Sequence, residues 1–156
     1  MVVRVRVEVK YGDRLIETAA VASSGYEAEV PKLHLPLALA CRLGIPLHAL
    51  PGESYMVVGG STHAYVLGGV LVRVVAEDRS SEWVSARAVT VPGEHEVLLS
   101  DKLLDALGIE IARAGLGYWR FSGESPERLR RSVEAQFWTS SRSPLSVPNN
   151  NKVGKA

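Results

Sequence analysis

Residues Glu17–Pro31 read ETAAVASSGYEAEVP. A strand-like run, Thr18–Ala22, drops into Ser23-Ser24-Gly25, and an apolar segment follows. A polar turn directly after a buried strand needs a reason, because loops at strand ends are where folds commonly carry function.

Upstream, Val2–Val9 alternates strictly: Val3, Val5, Val7 and Val9 on one face, Arg4, Arg6, Glu8 and Lys10 on the other. Period-two alternation predicts a half-buried strand. Tyr11-Gly12-Asp13-Arg14 supplies a turn, and Leu15–Ala22 returns as the second strand of a hairpin. Downstream, Pro31 and Pro36 punctuate the chain, and Leu37–Leu43 reads as a short helix or turn stopped by Gly44 and Pro46.

A second hairpin is expected from Ser54–Val58 and Ala64–Leu67, turning at Gly59-Gly60-Ser61-Thr62. Gly68-Gly69 should break the returning strand before Val70–Ala76 resumes it. Further strands are expected at Trp83–Val91 and Glu96–Ser100. Asp101 is the expected N-cap of a helix over Lys102–Leu107, closed by Gly108. Ile109–Ile111 and Gly117–Phe121 complete the strands. Beyond Ser122, Ser125-Pro126 is a helix-start pattern and predicts a helix over Glu127–Gln136, with Phe137-Trp138 docking it. Thr139–Ala156 is poor in apolar residues and is expected to be flexible. The organisation is thus a mainly β domain over residues 1–122, a helical extension over 123–138 and a tail over 139–156.

Composition narrows the function. The 156 residues carry 18 basic and 17 acidic side chains. That balance offers no electrostatic argument for nucleic acid or an anionic membrane. Apolar residues are 46% of the chain, enough for one core. No apolar run approaches a membrane span, and MVVRVRVEVK has no signal-peptide core. The expectation is a soluble, cytoplasmic protein. Gln occurs once and the three Asn are clustered at 149–151, a bias in the direction of thermophilic proteins. Cys41 is alone, so no intrachain disulfide is possible, and a buried thiol is expected. His34, His48, His63 and His95 are scattered without metal-ligand spacing, so no metal or cofactor is expected. Trp83 and Trp119 read as core or interface. Arg128, Arg130 and Arg131 read as a solvated helix face.

Three stretches taken in order resemble the retropepsin-like aspartic proteases, the single-lobe kind that works as a homodimer. AVASSG (Ala20–Gly25) is similar to that family's apolar-apolar-Asp-Thr/Ser-Gly element. LLSDKLL (Leu98–Leu104) is similar to its second conserved segment, and the hairpin over Ser54–Leu67 to its flap. The match covers about Val3–Phe121. Trp119-Arg120-Phe121 and Gln136-Phe137-Trp138 resemble an archaeal subgroup. The resemblance implies a closed β-barrel lobe with one short helix late in the domain. It also implies a homodimer acting on peptides or unfolded protein, with no cofactor, nucleic acid or membrane. It puts Ser23, Ser24 and Gly25 at the catalytic turn, and Gly59, Gly60, Ser61, Thr62 and Glu27 against substrate.

Three positions depart from the family pattern. Ser100 and Asp101 stand where the family has Gly and often Arg, and Ser23 stands where it has the catalytic Asp. In the family's chemistry two carboxylates share one proton, one acting as acid and the other as base. A serine pair can do neither near neutral pH. Loss of general acid–base help alone costs roughly 10²–10⁴-fold. Serine nucleophilic catalysis would need a base and an oxyanion hole. Glu27, His34 and His63 are candidate bases by proximity only, and no GxSxG elbow is present. Asp13 and Asp78 lie outside an Asp-Thr/Ser-Gly context. Natural loss of catalysis and engineered inactivation both fit, and so does a peptide-binding module without catalysis.

Overall fold

The computed structural model describes residues 2–47, 52–57 and 60–139. The expected flexible tail therefore lies, from residue 140 on, outside the described residues, as does Gly59.

The first hairpin is β1 (Val3–Tyr11) and β2 (Arg14–Ala22), paired in register from Val3↔Ala22 to Tyr11↔Arg14. The four alternating valines of β1 are all buried, as their spacing requires. Each contributes about 1.5–3 kcal/mol of transfer free energy. After β2 come β3 (Lys32–His34), α1 (Leu37–Arg42), β4 (Gly52–Val57) and β5 (Gly60–Val74). Then follow β6 (Val84–Thr90), β7 (Val97–Leu99) and α2 (Asp101–Leu107). The described chain ends with β8 (Ile109–Arg113), β9 (Tyr118–Phe121) and β10 (Arg130–Arg131).

Six strands close into a barrel in the order β1-β2-β7-β3-β6-β5, with β5 returning to β1 over Val7↔Val74 to Lys10↔Leu71. The fold is mainly β, with two short helices among the described residues. The barrel is filled by the β1 valines with Leu33, Leu99, Val72 and Val74, and α1 and α2 add Leu39 and Leu103. β4 extends from β5 as an arm, pairing Val57↔Gly60 through Gly52↔Tyr65.

Several expectations need correcting. Gly68 does not break the strand. It sits at a register shift between Val66 and Gly68 with φ 114°, so β5 bulges and runs on. Gly60, Ser61 and Thr62 are strand residues paired with Val57, Met56 and Tyr55, not the turn itself. The N-cap of α2 is Ser100, whose hydroxyl accepts from the Leu103 amide, and Gly108 closes the helix at φ 77°. Cys41 is a free, half-buried thiol rather than a buried one.

The largest correction concerns 127–136, which is not helical. Arg130 and Arg131 pair with Trp119 and Tyr118, making a β10-β9-β8 sheet. The chain then lies extended across the outside of the first hairpin as a strap. The Val133 amide donates to the Arg4 carbonyl at 3.0 Å, and the Arg4 amide donates to Ser132 Oγ at 2.9 Å. This fills the stretch of β1 that β5 does not reach. Gln136 Oε1 then accepts from the Ala19 amide, and Trp138 donates from Nε1 to Thr18 Oγ1 at 2.9 Å and from its backbone to the His95 carbonyl at 2.8 Å. Ala19 and Val21 of β2 are both buried.

Candidate functional site

The Ser23-Ser24-Gly25 turn leaves the end of β2 beside a parallel pairing of β2 with β7, Ala20↔Val97 to Ala22↔Leu99. Residues 23–31 form the loop that leads from there to β3. The Tyr26 amide donates to the Ser23 carbonyl at 3.3 Å, closing a tight turn.

The loop is held from one place, the junction of β7 and α2. The Asp101 amide donates to the Tyr26 carbonyl at 2.8 Å, and Asp101 Oδ1 accepts from the Ala28 amide at 3.1 Å and from the Lys102 amide at 2.7 Å. Ser100, fully buried, accepts from the Lys32 amide through Oγ at 3.0 Å, while its own amide donates to the Lys32 carbonyl. One hydroxyl thus caps a helix and fixes the far end of the loop. The Ser100-Asp101 pair was legible as a helix start. Its grip on loop 23–31 was not, because the partners are about seventy residues away.

Within this frame the turn itself is free. Ser24 and Gly25 are exposed and Ser23 is half-buried. Among the described residues neither serine hydroxyl has a hydrogen-bond partner. Gly25 is not at positive φ, and an added Cβ would meet only Ser23 Oγ at 3.7 Å, an ordinary contact. The turn's backbone geometry within one chain therefore does not require a glycine at Gly25.

Glu27 is on the same loop and exposed. The arm bearing Gly60, Ser61 and Thr62 makes no backbone hydrogen bond to loop 23–31 among the described residues. His63 is exposed and stacks edge-on with Tyr65 at 4.9 Å. His34 is buried, with Nδ1 2.9 Å from the Glu96 carbonyl, and is not available as a base for Ser23. Asp101, the carboxylate tied to the loop, is occupied in holding it. The turn therefore presents hydroxyls and backbone groups at the surface, with the exposed carboxylates of Glu27 and Glu29 on the same loop. Among the described residues no three His, Cys, Asp or Glu gather as a metal site, and no helix is long and apolar enough to cross a membrane.

A second polar cluster carries no sequence motif. Arg130, 9% exposed, donates from Nη2 to Asp78 Oδ2 at 2.6 Å and to Glu124 Oε2 at 2.9 Å, with further bonds from Nε and Nη1. Its guanidinium lies 4.8 Å from the Phe121 ring centroid, with Arg79 at 4.3 Å from the same centroid. Arg128 pairs with Asp78 at 2.9 Å. The hydrogen bonds from Arg130 hold the Glu124 carboxyl down to about 2 and also lower that of Asp78. The basic run expected as a solvated face is thus, at Arg130, a buried clamp between the β9–β10 connection and the loop after β5. A surface groove beside it is lined by Arg6, Glu17, Asp78, Trp119 and Leu129, with no residue from loop 23–31.

No family model and no curated protein matches the chain.

Proposed function

We propose that this chain is one lobe of a retropepsin-like homodimer that holds extended peptide or unfolded protein at paired Ser23-Ser24-Gly25 turns, and that it does not cut as it stands. The observation that carries this reading is the free turn on a fixed frame. Among the described residues the two serine hydroxyls have no partner, on a loop that Asp101 holds at Tyr26 and Ala28 and Ser100 holds at Lys32. Support also comes from the order of parts: hairpin, turn, β4–β5 arm, then a short buried strand leading into α2.

One lobe supplies one such turn and one arm, so a complete cleft needs two chains related by a two-fold axis. Peptide would bind as an added strand between arm and turn. With Ser23 in place of an acid, the paired-carboxylate chemistry lacks the group that takes a proton from water. The second reading, a peptide-binding module that never cut, rests on the same missing acid.

The test pairs light scattering with cleavage and binding assays. The given chain should be a dimer at tens of micromolar, bind unfolded casein and leave it intact. Ser23→Asp should cleave it at acid pH. A folded, dimeric Ser23→Asp that binds and cuts nothing would favour the second reading. A monomer that binds nothing would overturn both.

A further inference from the structure

His34 is fully enclosed, yet one of its two ring nitrogens has no partner. The Glu96 carbonyl can only accept, so Nδ1 carries the ring proton and donates to it at 2.9 Å. Nε2 is then a bare lone pair sealed from water. Any proton the ring gains must go there, producing a cation enclosed away from water, which burial opposes more strongly than the nearby Glu96 and Val91 carbonyls favour. That is costly unless the site opens.

What would open is defined by Glu96. Its carbonyl receives His34. Its carboxylate receives Arg4 in a bidentate pair, at 2.8 Å from Nε and 3.0 Å from Nη2. Arg4 is also the residue that bonds the strap at Ser132 and Val133, and the neighbouring His95 carbonyl receives the Trp138 amide. The strap's two ends are therefore fastened to groups that meet at the residue lying on His34.

We propose that His34 is an acid-sensitive latch: protonating its ring unseats the 94–96 turn and releases the 132–138 strap from the barrel. The surroundings agree with the direction. Burial, the largest influence, makes His34 harder to protonate than an ordinary histidine. The Glu96 and Val91 carbonyls and the Glu94 carboxylate act the other way, and His95 adds to the resistance. From β6 and β7 the register partners are Val89 and Leu98, which do not titrate. From β1 comes Arg4, already paired with Glu96. From α2 comes Asp101, engaged at the other end of β3.

The sign follows. In the opened state the ring is hydrated and takes a proton below about 6.5. In the closed state it resists. Below that pH the opened state binds more protons, so acid favours opening, and by about tenfold per pH unit at most. The inference does not depend on the reading of the Ser23 turn.

The test is amide hydrogen exchange of the full chain, read by NMR from pH 7.5 to 5.0 and corrected for intrinsic rates. Protection of the Trp138 and Val133 amides should fall together, by up to about tenfold per pH unit below about 6.5. His34→Leu should remove that fall, and His95→Gln should keep it. Should His34→Leu not fold, the ring signals of His34 in the unaltered protein decide. They should stay those of a neutral imidazole for as long as Trp138 is protected. Protection that does not change with pH overturns the proposal, as does an equal fall in His34→Leu. A His34 ring that titrates near 6.5 while the strap stays protected does so too.

Discussion

The Ser23–Gly25 turn and the Arg130 cluster are both polar, and both sit at the margin of the same apolar barrel. They differ in what their polar groups touch. Arg130 spends its donors on two carboxylates and lies against Phe121. The two serine hydroxyls touch nothing polar within the described chain. A charge taken out of water must be fully engaged by its own fold or it destabilises it. A hydroxyl left at the surface is under no such demand. The cluster is explained by folding alone, while the hydroxyls of the turn are left to solvent.

The comparison is sharpest under substitution. Arg130→Ala removes the shared central cation and leaves Asp78 with Arg128 and Glu124 with Arg79, so it should cost the charge-assisted hydrogen bonds of Arg130, about 2–3 kcal/mol. Urea titration at pH 7 would read it, and a loss under about 1 kcal/mol would mean the cluster is no more than a surface ion pair. The same cluster shapes acid stability. Glu124 is held down to about 2, against about 4.3 in an unfolded chain. Its contribution is complete above about pH 5 and is lost as pH falls from about 4.5 to 2. In Arg130→Ala that part of the pH dependence should flatten.

Trp138→Ala removes a half-buried indole and its bond to Thr18. It should cost about 2 kcal/mol, less than a fully buried tryptophan. Ser100→Ala removes an N-cap and the acceptor of the Lys32 amide together, for a loss of about 1–2 kcal/mol. Its effect should also show as faster exchange of the Ala28 and Lys32 amides in the loop. Gly25→Ala should change the stability of a single chain by less than about 0.5 kcal/mol, since its Cβ meets only ordinary contact. If Gly25→Ala weakens self-association while leaving monomer stability alone, the turn is an interface element. If it unfolds the chain, the turn is structural and the contrast with Arg130 fails.

Much of the barrel was legible because its signals are local. Alternating valines gave β1, and Gly12-Asp13 the turn to β2. The Ser100–Gly108 stretch gave α2 to within one residue. What was not legible depends on distant partners. β3 is three residues between two prolines and exists because β6 and β7 pair with both of its edges. The 127–136 segment has a good helix start, but a single ten-residue helix is marginal without packing. Arg130 is drawn instead to Asp78, 52 residues away, and Val133 to Arg4. In the candidate site, the position of the turn was legible. The latch formed by Asp101 and the buried His34 beneath the strap's anchor were not.

On the proposed reading, loop 23–31 is a frame for acid chemistry in which only the acid is missing. The direct measurement is the pH profile of casein cleavage by Ser23→Asp between about pH 3 and 7. Two carboxylates sharing a proton across a dimer axis predict a bell-shaped acid optimum, with no cleavage by the parent chain at any pH. A Ser23→Asp protein that is folded and dimeric, yet cuts nothing across that range, would contradict the claim.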